Sequence, residues 1–230
     1  PSEEILNQLR EMAAIIADRL DLRRHTIEQE RIQYLQTHQQ QILEQIATET
    51  PLPSVLADIV VLAEKHSPDA RGSVLLYDSD EHVLRHSAAP NLPTGYTDVI
   101  DGICAGPTVG SCGAAVHHNA QVVTEDIATD PRWDDYQELA LSHDLRACWS
   151  TPIRDKANNV LGTFALYFSD RRVPSPAEQQ FIDAVVQLAR VSITHHRHRH
   201  ALETERKRLE MTLYGGDLGS WECNFNTREY

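Results

Sequence analysis

The stretch from Ser175 onward constrains the chain most, because it reads as a helix that outgrows the domain in which it starts. Ser175-Pro176-Ala177-Glu178 is a capping box with proline at the first helical position. It launches Phe181, Ile182, Val185, Leu188, Ala189, Val191 and Ile193, the recurring apolar positions of one buried helix face. Leu188, His195, Leu202 and Leu209 then stand seven residues apart, a spacing that suits a partner helix better than a globular core. Ile5, Leu9, Met12, Ile16 and Leu20 recur in the same way at the other end, and the rhythm resumes at Leu35, Ile42 and Ile46 after a polar stretch. Neither stripe can be buried by its own helix, so a parallel homodimer through the terminal helices is the expected arrangement.

Between the two rods lies one ordinary domain. Pro51 and Pro53 punctuate the first helix, and Ser54 offers a cap before Val55, Leu56, Ile59 and Leu62. Ser73 to Tyr77 and His82 to His86 form a hairpin across the turn residues Asp78 to Glu81. Beyond Pro90, the residues Pro93, Gly95, Gly102, Gly106 and Pro107 break any period until a short helix after Gly110, for which Ser111 is the expected cap. Gln121 to Thr124 reads as a strand, and Asp130 to Trp133 as a turn into a short helix through Leu141. Ala147 to Ile153 and Val160 to Phe168 are two longer strands. The layout is α+β with a largely antiparallel sheet. The predicted boundaries are a linker helix over 1–50, a sensor domain over 51–194, a second linker helix over 195–213 and the start of a further domain over 214–230.

Charge narrows the function. The 230 residues carry a formal net charge of −13, which argues against a phosphate backbone as partner. No run approaches roughly 18 uninterrupted apolar residues, so no direct membrane insertion is expected. The four cysteines, Cys104, Cys112, Cys148 and Cys223, include no C-x-x-C and read as reduced cytoplasmic thiols, with no metal spacing. Opening at Pro1, the sequence reads as part of a longer protein.

Four words in order carry a resemblance: Gly106-Pro107-Thr108-Val109-Gly110-Ser111-Cys112-Gly113, Asp126-Ile127-Ala128-Thr129-Asp130-Pro131-Arg132-Trp133, Leu145 to Ile153, and Leu161-Gly162-Thr163-Phe164. Over roughly Leu52 to Ile193 the chain resembles the GAF domains of bacterial receptors, which sit upstream of diguanylate cyclase, phosphodiesterase or histidine kinase outputs, some of them in cyclic di-GMP signalling. Ser2 to Arg24 is similar to the closing helix of a preceding GAF domain, and Gly215 to Tyr230 to the first strand of a PAS domain. The resemblance implies the GAF fold: a central antiparallel sheet, terminal helices together on one face, and a small-molecule pocket on the other. It puts Cys104, Cys112, Trp133, Tyr136, Cys148 and Trp149 in the pocket wall.

The ligand stays open. The Asn-Lys-x-Phe-Asp-Glu signature of cyclic-nucleotide-binding relatives is absent, Cys148 is followed by Trp149 where bilin-attaching relatives have histidine, and no histidine is marked as a haem ligand by its context. Cys112, in a helix's first turn, is placed to favour a thiolate and suggests redox input, although a small buried side chain would look the same. His195 to His200 is a solvated linker face or a metal or pH element. The expected function is a non-catalytic sensory relay, with a free methionine sulfoxide reductase-like enzyme and a structural spacer with an empty pocket as alternatives.

Overall fold

A computed structural model describes residues 36–215 together with helical positions 12, 16, 18, 19, 22 and 23. Ile5, Leu9 and Leu35 of the expected dimer stripe, and residues 216–230 of the expected further domain, lie outside the described residues. The chain divides into two units, Pro1–Glu49 and Thr50–Tyr230. In the first, residues 36–47 form a helix, α1, in which Ile42 is buried, while Met12 and Ile16 upstream are exposed.

The second unit is built on a six-stranded sheet in the order β3-β2-β1-β6-β5-β4, every neighbouring pair antiparallel. Its strands are β1 (Ala70–Asp78), β2 (Val83–Ala88), β3 (Ile103–Cys104), β4 (Val122–Thr124), β5 (Ala147–Arg154) and β6 (Val160–Phe168). The helices are α2 (Leu52–His66), α3 (Thr94–Ile100), α4 (Gly110–His118), α5 (Gln137–Ser142) and α6 (Pro176–Gly215), with a 3-10 turn at Pro131–Trp133. The α+β GAF layout expected from the sequence is therefore the one present.

Side chains alternate across a pleated strand, and here both faces are covered, so β5 and β6 are buried almost end to end. One face receives α2 and α6. Gly72 lets α2 come close, since a Cβ there would stand 2.7 Å from Val60 Cγ1. The end of α2 meets the start of α6 where the His66 and Phe181 rings stack at 3.6 Å. Glu64 ties α2 to the sheet, accepting from the Gly72 N–H at 2.8 Å and from Asn91 Nδ2 at 2.5 Å. The other face receives α3, α4, α5 and the 3-10 turn, which enclose a core of Leu75, Tyr96, Ile100, Cys112, Trp133 and Tyr167 among others.

Three details differ from the sequence expectations. α2 begins at Leu52 behind Pro51, so Ser54 lies inside it rather than capping it. α4 begins at Gly110 behind Val109, and Ser111 is buried in its first turn, its hydroxyl drawn away to Thr124. The segment beyond Pro90, expected to be irregular, holds α3 and β3. The capping box forms as expected: Ser175 Oγ accepts from the Glu178 N–H at 3.3 Å, and Glu178 Oε2 accepts from the Ser175 N–H at 2.8 Å.

Candidate functional site

The first turn of α4 lies over the sheet at β5, and the contact is polar on both sides. Ser111 Oγ donates to Thr124 Oγ1 at 2.9 Å, with the Cys148 carbonyl oxygen 3.4 Å from it. The Trp133 indole N–H is shared between Ser111 Oγ and Thr124 Oγ1, each at 3.2 Å. Trp133 is 3% exposed, and its ring edge packs against Gly110 where a side chain would otherwise stand. Thr124 in turn donates to Asp130 Oδ2 at 2.9 Å, and Asp130 pairs with Arg132 and caps the 3-10 turn through the Arg132 N–H. Burial works against the Asp130 charge, but the Arg132 and Thr124 hydrogen bonds outweigh it and hold the carboxyl below its usual range. The Asp126-to-Trp133 word is thus a clamp that seats one indole over α4.

Beneath this clamp is a void of about 20 Å³, room for one water-sized body, lined by Leu75, Tyr96, Ile103, Cys112, Trp133 and Tyr167 with Ile100, Val109, Gly110, Ser111 and Tyr136. Two larger depressions, about 530 and 660 Å³, run along α6 on the other side and contain none of the cysteines.

Cys112 is the reactive group the void exposes. Ser150 Oγ donates to its sulfur at 3.4 Å, and the Tyr167 hydroxyl stands 3.8 Å away. The hydrogen bond from Cys148 is the largest influence on Cys112; it overcomes burial, and with Ser150, Tyr167 and Thr163 it lowers the thiol to about 7. Cys148 is driven the opposite way, well above the ordinary thiol value, by burial first and by its bond to Cys112 second. Of the two thiols, Cys112 is therefore the one that gives up its proton first. Tyr96 and Tyr167, edge to face at 5.6 Å, are both pushed well above the usual phenol value by burial and stay neutral.

Of the six pocket residues expected from the sequence, Cys112, Trp133 and Tyr136 line the void, and Cys148 backs Cys112. Cys104 is exposed, beside the α4 turn, its carbonyl 3.2 Å from where a Gly113 side chain would begin. Trp149 is on the opposite face of β5. Cys148 pairs with Tyr167 and Trp149 with Leu166, so the two neighbours point to opposite sides of the sheet. The Trp149 indole donates to the Arg172 carbonyl at 2.9 Å and packs on Phe168 under the Arg172 guanidinium. Tyr96, Ser150 and Tyr167 were not singled out from sequence; strand alternation from Cys148 would have found Ser150, whereas Tyr96 sits in the segment that looked irregular. Among the described residues no group of three or more metal-binding side chains occurs, and no helix is long and apolar enough to cross a membrane.

Comparison with known proteins agrees with this fold. The methyl sulfide methyltransferase-associated sensor of Methanosarcina acetivorans is 32% identical over 171 residues, which are 74% of this chain and 17% of that protein. The GAF domain of a phosphoenolpyruvate-protein phosphotransferase from Coxiella burnetii superposes with a TM-score of 0.58 at 18% identity, covering 74% of this chain and 98% of that one. The free methionine-R-sulfoxide reductase of Neisseria meningitidis, solved with its substrate, gives 0.55 at 16% identity over 72% and 91%. At those identities the likeness is one of fold. The sequence profile described as "GAF domain" matches residues 49–194, well over half of the chain and the whole of the sheet with its covering helices, and the chain belongs to the GAF domain family.

Proposed function

We propose that this chain is a non-catalytic sensory relay module: a small-molecule or redox event at the Cys112 void changes how the sheet packs against α2 and α6. A parallel homodimer of the terminal helices then passes that change to a further domain. The observation that carries the reading is the two-sidedness of the central strands. Along β5, Cys148 and Ser150 face the void, while Trp149 between them faces the helices, so no strand can shift on one side without moving the other.

α6 supports the outward half of the relay. Arg197 donates to the carbonyls of Tyr77 and Leu161 at 3.3 and 3.5 Å, a last hold on the sheet. Beyond it Leu202 and Leu209 are 71% and 62% exposed, apolar side chains that a second helix would cover. The archaeal relative's printed name is that of a sensor, which agrees with this reading. A cytoplasmic receptor with a diguanylate cyclase, phosphodiesterase or histidine kinase output is the setting proposed for it.

The second reading is an enzyme of the free methionine sulfoxide reductase type, favoured by neighbours such as the Neisseria structure. A void near 20 Å³ is far smaller than an amino acid, and that weighs for the sensor. Sedimentation equilibrium tests the relay. A dimer is expected, and Leu202→Glu with Leu209→Glu should weaken it at least tenfold, about 1.4 kcal/mol or more, without loss of helical signal from the domain. A monomer at about 100 µM would contradict the relay. Thiol-dependent turnover of free methionine sulfoxide would favour the enzyme.

A further inference from the structure

The floor below Cys112 holds more hydroxyls than the protein's own hydrogen bonds use. Ser73 and Thr163 are fully buried, and Thr163 stands on the void's face of β6, opposite Leu75 of the void lining. Thr163 is directed at Cys112 and Ser73 at Tyr167, yet neither Ser73 Oγ nor Thr163 Oγ1 meets hydrogen-bond geometry with any protein group. Unsatisfied buried hydroxyls are uncommon and mark a place where a small polar body has partners waiting. Here they lie below Cys112, which the Ser111–Cys148 carbonyl and Cys112–Ser150 contacts, both at 3.4 Å, bring against the Cys148 stretch of β5.

We propose that Cys112 and Cys148 are a redox-active pair, oxidised to a disulfide by the smallest hydroperoxide, hydrogen peroxide, which reaches Cys112 at the mouth of the void. The inference rests on the sensor reading and names its input. The Cys112 thiolate attacks one peroxide oxygen and the O–O bond breaks. The departing oxygen takes up a proton and leaves as water, and Cys112 becomes a sulfenic acid. The Cys148 sulfur then attacks the Cys112 sulfur, the S–O bond breaks, and the hydroxide leaves as a second water with the Cys148 proton. Two thiols lose two electrons and two protons; one peroxide takes them up and yields two waters. Ser150 and Tyr167, at 3.4 and 3.8 Å from the attacking sulfur, and the two unsatisfied hydroxyls are the donors available to the oxygen that departs.

The roles are unequal. Cys112 lines the void and attacks; Cys148, fully buried behind it, resolves. Size selects the oxidant, since a space for one water does not admit a bulky alkyl hydroperoxide.

The test uses the full chain with Cys104→Ser and Cys223→Ser, so that only the pair remains. It is treated with hydrogen peroxide or cumene hydroperoxide and digested for peptide mass mapping. Hydrogen peroxide is expected to give a linked peptide joining Cys112 to Cys148, and cumene hydroperoxide to give it at least an order of magnitude more slowly. Adding Cys148→Ser should leave Cys112 as a sulfenic acid that dimedone traps, and adding Cys112→Ser should leave Cys148 untouched. The pair is overturned if Cys112 remains a thiol under peroxide that fully oxidises the exposed Cys104 of the unmodified chain, or if the two peroxides react equally fast. A disulfide that forms without altering α6 keeps the pair and removes the relay. A ligand other than peroxide that alters α6, in a chain that forms no disulfide, keeps the relay and removes the pair.

Discussion

Trp133→Ala is expected to lower the unfolding free energy by about 3–5 kcal/mol, the cost of deleting a large aromatic side chain from a packed interior. The indole is almost wholly buried, and its loss merges its own volume with the void beside Cys112. The polar part of the cost is small, because Ser111 and Thr124 keep their mutual hydrogen bond at 2.9 Å and Thr124 keeps Asp130. The apolar part is large. Urea unfolding measures it, and since a domain of this class has only about 5–15 kcal/mol in all, the midpoint should fall by about a fifth or more. Trp133→Phe, which keeps an aromatic ring but no indole N–H, should retain most of the stability. A loss under about 1 kcal/mol for the alanine variant would mean that α4 is not held down by this clamp.

Gly162→Val is expected to yield no folded domain at all. A side chain there would begin 2.2 Å from the Leu75 carbonyl oxygen, with Leu75 C and Leu76 Cα at 3.2 Å. All three are backbone atoms. β6 is hydrogen-bonded to β1 on one side and β5 on the other, so relieving the clash breaks a central ladder. Even alanine should cost more than about 4 kcal/mol, the range reserved for gross steric faults. Gly72→Ala is the fair comparison, because its new Cβ would meet the Val60 side chain at 2.7 Å and not a backbone. Helix α2 can move aside by tenths of an ångström, whereas β6 cannot. Soluble yield and circular dichroism of the three variants separate the cases.

The long strands and the closing helix were legible because their signals are local. Apolar runs at Ser73–Tyr77 and Val160–Phe168 and the box at Ser175–Glu178 depend on nearby residues alone. α3 was not legible for the opposite reason. Its two buried side chains, Tyr96 and Ile100, make too short a stripe to show a period, and the helix is held by packing that includes Tyr96 edge to face with Tyr167. Ser111 looked like a cap because its residue type suits one; the structure spends its hydroxyl on Thr124 and Trp133, which come from elsewhere in the chain.

The site divides in the same way. Cys112 and Trp133 were readable as parts of motifs, but the contacts of Cys112 with the strands join residues dozens of positions apart. Trp149 is different, because the information was present. Adjacent residues of a strand face opposite ways, so Cys148 and Trp149 could not both look into one pocket. The physical cause of the Cys112 shift was also hidden: the helix terminus was the reason visible in the sequence, while the hydrogen bond from Cys148 comes first among the causes in the structure.

The proposed relay requires the void and α6 to communicate through the sheet. Amide hydrogen exchange of the Cys112→Met variant against the unaltered protein is the sharpest test, since methionine overfills a space made for one water and must push on the sheet or on its covering helices. Altered exchange is expected at residues 195–212, on the far side of the sheet from Cys112, beyond the uniform rise that a loss of global stability would give. Changes confined to α3, α4, α5 and the strands beneath them, with α6 unaltered, would contradict it.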